Sequence, residues 1–536
     1  MRRLPCRVEA EAVICFEDGI KDNSKMTLRE VLMGVEAAYS REDDPVINEV
    51  GEDSREVGPG ALFFAVEGRR VDGHDYLQKA LDAGAEAVVV SREVDLPEAA
   101  LVVQVENTRA AFAQAAANLY GRPADKVALI GVTGTNGKTT VCYLLEAILW
   151  AWSKRPGVLG TVSYRVAGET HPAPYTTPTP PVLHATLREM VEAGCTHVLM
   201  EVSSHALEME RVLGLNFTLA GFTNLTQDHL DLHGDMQGYL EAKQRLFRHH
   251  LKNDGVAVAW GEDPSAHEML EPFKGKKLFC SSRDSDADIL LLESSLTLDG
   301  LAARIQTPDG VVEIRSQLLG STNLKNILLA VGMAHAMGVS GEAIEKGIRD
   351  LKLVPGRLER VDDGAPETAP TVLVDYAHTP DAIEQVVATL RPLASERLMV
   401  VFGCGGDRDN SKRPLMGKAA AGLADITVVT SDNPRTEDPM AIIEMALAGV
   451  EERGKTPIEV DELSGASSGY VVIPERREAI RAVVRAASAG DVVLIAGKGH
   501  EDYQILGTRR IHFDDREEAR AVLEEIGAAA SRRSGV

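Results

Sequence analysis

An apolar run, KVALIGVTG, ends at Gly134, and TNGKTT follows at once. No other stretch limits the fold as tightly. The run reads as a buried strand, the glycines as a tight turn, and TTVCYLLEAILWAW as the helix that the turn feeds. Strand, turn and helix in that order form half of a parallel β–α–β unit, so a doubly wound α/β architecture is expected. In the turn, Gly134, Thr135, Asn136 and Gly137 can bring backbone N–H groups up to phosphate oxygens. The helix start adds a partial positive charge and Lys138 a full one. Thr139 offers a hydroxyl to Mg²⁺, and Thr140 continues the helix. The strict phosphate-loop pattern wants Gly where Val132 stands, and Gly131 is one residue out of register. This is therefore a variant loop in the right context.

The rest of the chain divides around this unit. Residues 1–25 read as an N-terminal extension whose Glu9, Glu11 and Glu17 break any signal-peptide core, and Met26 opens a cleaner pattern. Residues 26–122 alternate short strands such as ALFFAVEG with helical patterns, a small α/β domain. Residues 123–354 hold the phosphate loop and further strands at HVLMEV, FTLAGFTN and GVAVAW. Asp299-Gly300 and Asp309-Gly310 then suggest an antiparallel hairpin region at the sheet edge. Residues 355–536 repeat the strand–helix alternation through TVLVDYAH, RLMVVFGCGGD, DITVVTSDN and DVVLIAGKGH, a second doubly wound sheet.

A net charge of −24 argues against a general nucleic-acid binder. No apolar run is long enough to span a bilayer. Six scattered cysteines without a C-x-x-C pair fit a reducing cytoplasm. A soluble, cytoplasmic monomer acting on small molecules is the expectation.

A nucleotide site needs metal ligands from neighbouring strands. MEVSSH delivers Glu201 at one strand end, and FTNLTQDHLDLHGD delivers Asp228, His229 and Asp231 past the next. In a parallel sheet both ends lie on the phosphate-loop side. HLDLH lacks the Glu of H-E-x-x-H and has no companion ligand, which speaks against zinc; His205 and His233 read as polar-turn residues.

At this point a resemblance becomes specific. GTNGKTT, YTTPTPP, EVSSHAL, NLTQDHLDLHGDMQGYLEAK, PGRLER, DYAHTPDAI, GCGGDRD, DNPR and GKGHEDYQ stand in the order found in the Mur ligases. The chain looks most like the members that add the third residue of the peptidoglycan stem peptide. The resemblance implies a UDP-binding domain, a central ATPase domain and a C-terminal Rossmann-like domain. It implies ATP-dependent joining of an amino acid to UDP-N-acetylmuramoyl-L-alanyl-D-glutamate through an acyl phosphate. Lys138 would then hold phosphates, Thr139 and Glu201 one Mg²⁺, and His229 would help hold a second. Lys243, in LEAKQRLF, matches the lysine that the family carbamylates with CO₂; a carbamate turns a cation into a carboxylate-like metal ligand, although only a neutral amine reacts. Asn323, Arg357 and Asp375 match the family's ATP contacts, and His378 follows a strand end beside them. Ser54 and Arg55 match the uridine segment. Thr176, Thr177, Ser203 and Arg211 match positions that hold the muramoyl dipeptide, with Met209 where the family often has Gln.

Three C-terminal loops leave strand ends: GCGGDRD with Arg408, SDNPR with Asp432, Asn433, Pro434 and Arg435, and AGKGHE with Gly497 and Glu501. Carboxyl-end loops form the crevice of an open parallel sheet. Arginines and carboxylates converging there suit a small zwitterion, since Arg forks onto a carboxylate and Asp or Glu takes an ammonium. By resemblance, DNPR belongs to members that add meso-diaminopimelate, and Arg435 would face its second carboxylate. Addition of L-lysine or another diamino acid is the alternative. So is another ligase of the superfamily, such as a folylpolyglutamate synthetase, or a phosphate-loop switch without an amine acceptor.

Overall fold

A computed structural model describes residues 26–534 except 69, 70, 363 and 367. The expected extension at 1–25 lies outside the described residues. Three separate sheets organise the chain. The first has five strands in the order Ala37–Tyr39, Val102–Val105, Ala87–Val90, Ala61–Phe64, Glu49–Gly51. Only its first pair is antiparallel. The strands ALFF and AVVV are buried along their whole length. That is the pattern of a parallel sheet covered on both faces.

The central sheet has eleven strands. Ala128–Thr133 lies deep inside it, between His197–Glu201 and Phe217–Phe222, with both pairings parallel. The chain leaves Ala128–Thr133 by the helix Lys138–Ala151, returns at Pro156–Leu159, and inserts His197–Glu201 between the two. It then crosses to Phe217–Phe222 on the opposite side. This reversal opens a crevice at the carboxyl ends of the three strands, where ligands bind in such sheets. At the far edge, Ile289–Thr297, Gly300–Thr307 and Gly310–Ser316 form the expected antiparallel hairpins. Each turn is closed by two residues, Leu298-Asp299 and Pro308-Asp309, and the glycine opens the next strand.

The third sheet runs Glu359–Arg360, Thr371–Asp375, Val492–Ala496, Leu398–Cys404, Ile426–Ser431, Gly469–Val472, and all but the first pair is parallel. Val492–Ala496 is last in sequence yet sits between the first two main strands. Its insertion brings the loop after Ala496 beside those after Asp375, Cys404 and Ser431. Beneath these loops Arg476 and Asp515 form a fully buried ion pair at 2.7 Å.

Candidate active site

The phosphate loop is held open by its neighbours. Gly137 takes φ +90° as the residue before the helix, a left-handed conformation that costs glycine little, and no side chain caps the helix. The first N–H groups of Lys138–Ala151 are thus left to an anion. Four contacts from the segment after Phe222 hold the loop in shape. Asn224 O accepts from Thr135 N at 2.9 Å, and Asn224 Oδ1 accepts from Asn136 N at 3.0 Å. Thr223 Oγ1 donates to Asn136 O at 2.6 Å, and Thr226 N to Thr135 Oγ1 at 3.0 Å. A Cβ on Gly134 would collide with Thr223 Oγ1.

Glu201 ends its strand fully buried and receives three donors: Thr139 Oγ1 at 3.0 Å, Thr161 N at 2.8 Å and Thr161 Oγ1 at 3.0 Å. The expected Thr139–Glu201 pair is therefore in contact. Lys138 Nζ folds back onto Gly134 O and Thr135 O, each at 2.8 Å. Lys243 Nζ reaches the same Gly134 carbonyl at 2.9 Å, with 1 % of the residue exposed. Two ammonium groups on one carbonyl oxygen repel each other. Burial first, and Lys138 second, push the Lys243 amine well below the ordinary lysine range. The Tyr239 ring lies 4.4 Å from its Nζ.

His229 stands at φ +54° beside Asp228, with Nε2 at 3.2 Å from Oδ2. Burial lowers this imidazole to about 4, so it is neutral and can act as a ligand. Burial disfavours the Asp228 carboxylate, but His229 and Lys412 outweigh it and hold the group at about 2. Lys412 comes from the third sheet's side and meets Asp228 Oδ1 at 2.9 Å. Asn136 makes a second bridge of this kind, to Asp381 Oδ2 at 3.1 Å. His205 and His233 lie in short helical turns and pack around His229 and Tyr239 with ring centroids 4.8–6.4 Å apart.

The crevice these groups line encloses about 670 Å³. Gly137, Lys138, Thr139, Glu201, His229, Asn323, Arg357, Asp375 and His378 all border it. Three of the expected nucleotide contacts are also tied into the protein. Asn323 Nδ2 donates to Leu319 O at 2.9 Å. The Arg357 guanidinium lies 4.5 Å over the Tyr376 ring. Asp375 accepts from Leu358 N at 2.7 Å and Ala377 N at 2.8 Å, so it shapes the loops that carry Arg357 and His378.

In the dipeptide segment, Thr176 meets Thr161 hydroxyl to hydroxyl at 3.1 Å. Thr177 donates to Glu201 O at 2.7 Å, Ser203 caps its helix through Ala206 N at 3.1 Å, and Arg211 donates to Thr177 O at 2.9 Å. Met209 closes the short helix Ser204–Glu208. In the first domain Ser54 is buried, while the Arg55 side chain is 70 % exposed and forks onto Asp53.

The three C-terminal loops converge. Arg435, at φ +51°, donates Nη1 to Gly406 O at 2.7 Å, and a Cβ on Gly406 would collide with the Pro434 carbonyl. Glu437 grips the neighbouring loop through Arg413 (2.8 and 2.9 Å) and the Asp407 amide. Arg408 is exposed at the rim. Asn433 Nδ2 meets Glu501 Oε2 at 3.3 Å. Lys498, between Gly497 and Glu501, went unread in the sequence; it is fully buried and touches Asp432, Asn433 and Glu501.

A phosphate-loop crevice, bridged to converging loops that carry arginines and carboxylates on a second sheet, is the layout of a nucleotide-dependent α/β enzyme. Comparison with known proteins makes this particular. Three family models match in chain order: "Mur ligase family, catalytic domain" over residues 46–120, "Mur ligase middle domain" over 132–334, and "Mur ligase, glutamate ligase domain" over 356–499. The chain is 46 % identical over 485 residues to a UDP-N-acetylmuramoyl-L-alanyl-D-glutamate--2,6-diaminopimelate ligase of Geobacter metallireducens, covering 89 % of this chain and 94 % of that one. A protein of the same name from Geobacillus kaustophilus is 44 % identical, with 90 % and 96 % covered. A solved structure bearing that name aligns with TM-score 0.65 and 33 % identity over 94 % of this chain and 99 % of the other. The chain belongs to the Mur ligase family.

Proposed function

We propose that this enzyme joins meso-diaminopimelate to the D-glutamyl carboxylate of UDP-N-acetylmuramoyl-L-alanyl-D-glutamate at the expense of ATP, a cytoplasmic step of peptidoglycan synthesis. The reaction is supported by the names of relatives 43–46 % identical over most of the chain. The observation that carries the reading for this chain is the Lys412–Asp228 bridge. It ties the helix behind the GCGGDRD loop directly to the nucleotide crevice, which supports both half-sites serving one reacting centre.

The carboxylate of the dipeptide takes the γ-phosphoryl of ATP and releases ADP. The amine of the incoming amino acid then attacks the acyl phosphate, loses a proton and expels phosphate. The uncapped helix start and Lys138 stabilise the charge on the phosphoryl in transit. The donors fit hard cations: Thr139 and Glu201, a hydroxyl and a buried carboxylate in contact, would hold one Mg²⁺, and the neutral imidazole of His229 would help hold a second. Mg²⁺ bound there would neutralise phosphate charge. Lys243 would join them once its neutral amine has added CO₂ and released a proton, and its lowered affinity for protons favours that addition.

Ser54 and Arg55 would meet the uridine, and Thr176, Thr177, Ser203 and Arg211 the muramoyl dipeptide. Asn323, Arg357 and Asp375 would frame the nucleoside. Arg408, Asp432 to Arg435, Gly497 and Glu501 would take the amino acid. The three domains that carry these groups would meet at seams near residues 122 and 355.

Phosphate release measured with ATP alone, with the UDP-dipeptide added, and with meso-diaminopimelate or L-lysine added as well tests the reading. Release that requires both the dipeptide and diaminopimelate is expected. Release that needs no amine, or that prefers lysine, overturns it.

A further inference from the structure

The amino-acid pocket contains a cation that cannot touch a ligand. Lys498 has 0 % of its surface exposed. Its Nζ lies 3.2 Å from Glu501 Oε2, 3.3 Å from Asn433 Oδ1 and 3.5 Å from Asp432 Oδ1. An ammonium has three donors, and here three oxygens surround it. Burying such a charge costs several kcal/mol unless it is paired this fully.

We propose that Lys498 is a positioning residue that sets the pocket's selectivity: acting from beneath, it fixes Asp432, Asn433 and Glu501 for the amino acid's far end and reduces their charge to one net negative. This rests on the reading of the DNPR and GKGHE loops as the amino-acid pocket.

Asn433 carries the first part of the argument. Its Oδ1 accepts from Ile505 N at 2.9 Å as well as from Lys498, and its Nδ2 points at Glu501. The amide is thereby held one way round, with Lys498 joined to both ends of the Asn433–Glu501 contact. Charge carries the second part. Asp432 and Glu501 bring two negative charges to one spot. Arg476 lies beneath them, but its charge is matched by Asp515 through two bonds of 2.8 and 2.7 Å. Lys498 is the buried cation that contacts Asp432 and Glu501 directly. The Tyr503 ring, 5.3 Å away, closes the remaining side.

One net negative charge suits an end group that bears an ammonium together with a carboxylate, the latter facing Arg435. A doubly negative pocket would favour an end group bearing an ammonium alone. Removing the Lys498 charge should therefore shift selectivity from diaminopimelate toward lysine.

Lys498→Met keeps the length and apolar stem without the charge, and Lys498→Gln keeps a hydrogen-bond donor. Steady-state ligation by the full chain is compared for both, with meso-diaminopimelate and with L-lysine, alongside thermal melting. For Lys498→Met we expect KM for diaminopimelate to rise at least about tenfold. We expect kcat within about threefold and KM for ATP within about twofold of the parent enzyme. The diaminopimelate-to-lysine ratio of kcat/KM should fall about tenfold or more, and Lys498→Gln should lie between. An unchanged KM and ratio would overturn the proposal. So would KM values for all three substrates that worsen in step with a lowered melting point. If neither variant folds, Lys498 is a folding element and the proposal fails. If the parent enzyme itself does not use diaminopimelate, the pocket reading fails first. If the parent does and Lys498→Met matches it, only the proposal falls.

Discussion

Replacing Arg435 by alanine removes two things of different size. One is the bond from Nη1 to Gly406 O at 2.7 Å. Its loss should cost about 1 kcal/mol of stability, because Arg413, Glu437, Thr436 and Asp407 continue to tie the same two loops together. The other is the guanidinium proposed to face the second carboxylate of diaminopimelate. Truncating one partner of a buried, charge-assisted pair costs roughly 2–5 kcal/mol. At about 1.4 kcal/mol per decade, that is a loss of about 30-fold to several thousand-fold in kcat/KM for diaminopimelate. KM for ATP should stay within about twofold, since the nucleotide crevice is built from other loops. Arg435→Lys keeps the charge but not the planar fork and should recover only part of the loss. The assay is phosphate release against diaminopimelate at saturating ATP and UDP-dipeptide. An alanine variant with the parent's KM and kcat for diaminopimelate, or one whose ATP dependence collapses equally, would refute the reasoning.

Three further outcomes are expected. Lys243→Ala should abolish ligation, and added bicarbonate should not restore it, because no amine is left to take up CO₂; a fully active variant would remove Lys243 from the site. Asp515→Asn strands Arg476, which is 0 % exposed, and should destabilise the third domain by about 3–5 kcal/mol in a denaturant melt; a shift under about 1 kcal/mol would show the pair to be dispensable. His184 is 2 % exposed, finds no hydrogen-bond partner for either ring nitrogen among the described residues, and is pushed by burial and by Arg122 down to about 4. Since the folded value lies below the unfolded one of about 6.5, its stability contribution is full above pH 6.5. About 3 kcal/mol should then be lost as the pH falls to about 4. His184→Leu should remove that share of the loss and leave the shares of the other buried imidazoles, His229 and His250; an unchanged stability–pH curve would contradict the assignment.

How much of this was legible depended on sequence distance. The phosphate loop was readable because strand, glycines, lysine and helix lie within a score of residues and each has a local reason. The strands feeding GCGGDRD, SDNPR and AGKGHE were readable as uninterrupted apolar runs, and the loops converge in the structure. Lys498 was not readable. A lysine between two glycines looks like a solvated turn, and two of the three acceptors around it lie 65 and 66 residues earlier. The Lys412–Asp228 bridge joins residues 184 apart. The Thr223–Asn224 clasp on the phosphate loop was hidden for the same reason: FTN reads simply as a strand end until its neighbour in the sheet is known.

What this sequence determines by itself is local. Apolar runs of strand length, helical periodicities and the placement of glycine settle which segments form strands, helices and phosphate-binding turns. Those preferences act over a few residues. What the tertiary structure decides is the charge state and direction of the groups those segments carry. Lys243 is a helix lysine until burial and Lys138 meet it at Gly134 O, 109 residues away. Asp375 is a strand-end carboxylate until the amides of Leu358 and Ala377 turn it into the anchor of two loops. Desolvation and Coulomb interactions act through space rather than along the chain, so the same residues acquire their chemistry only when the sheets set them side by side.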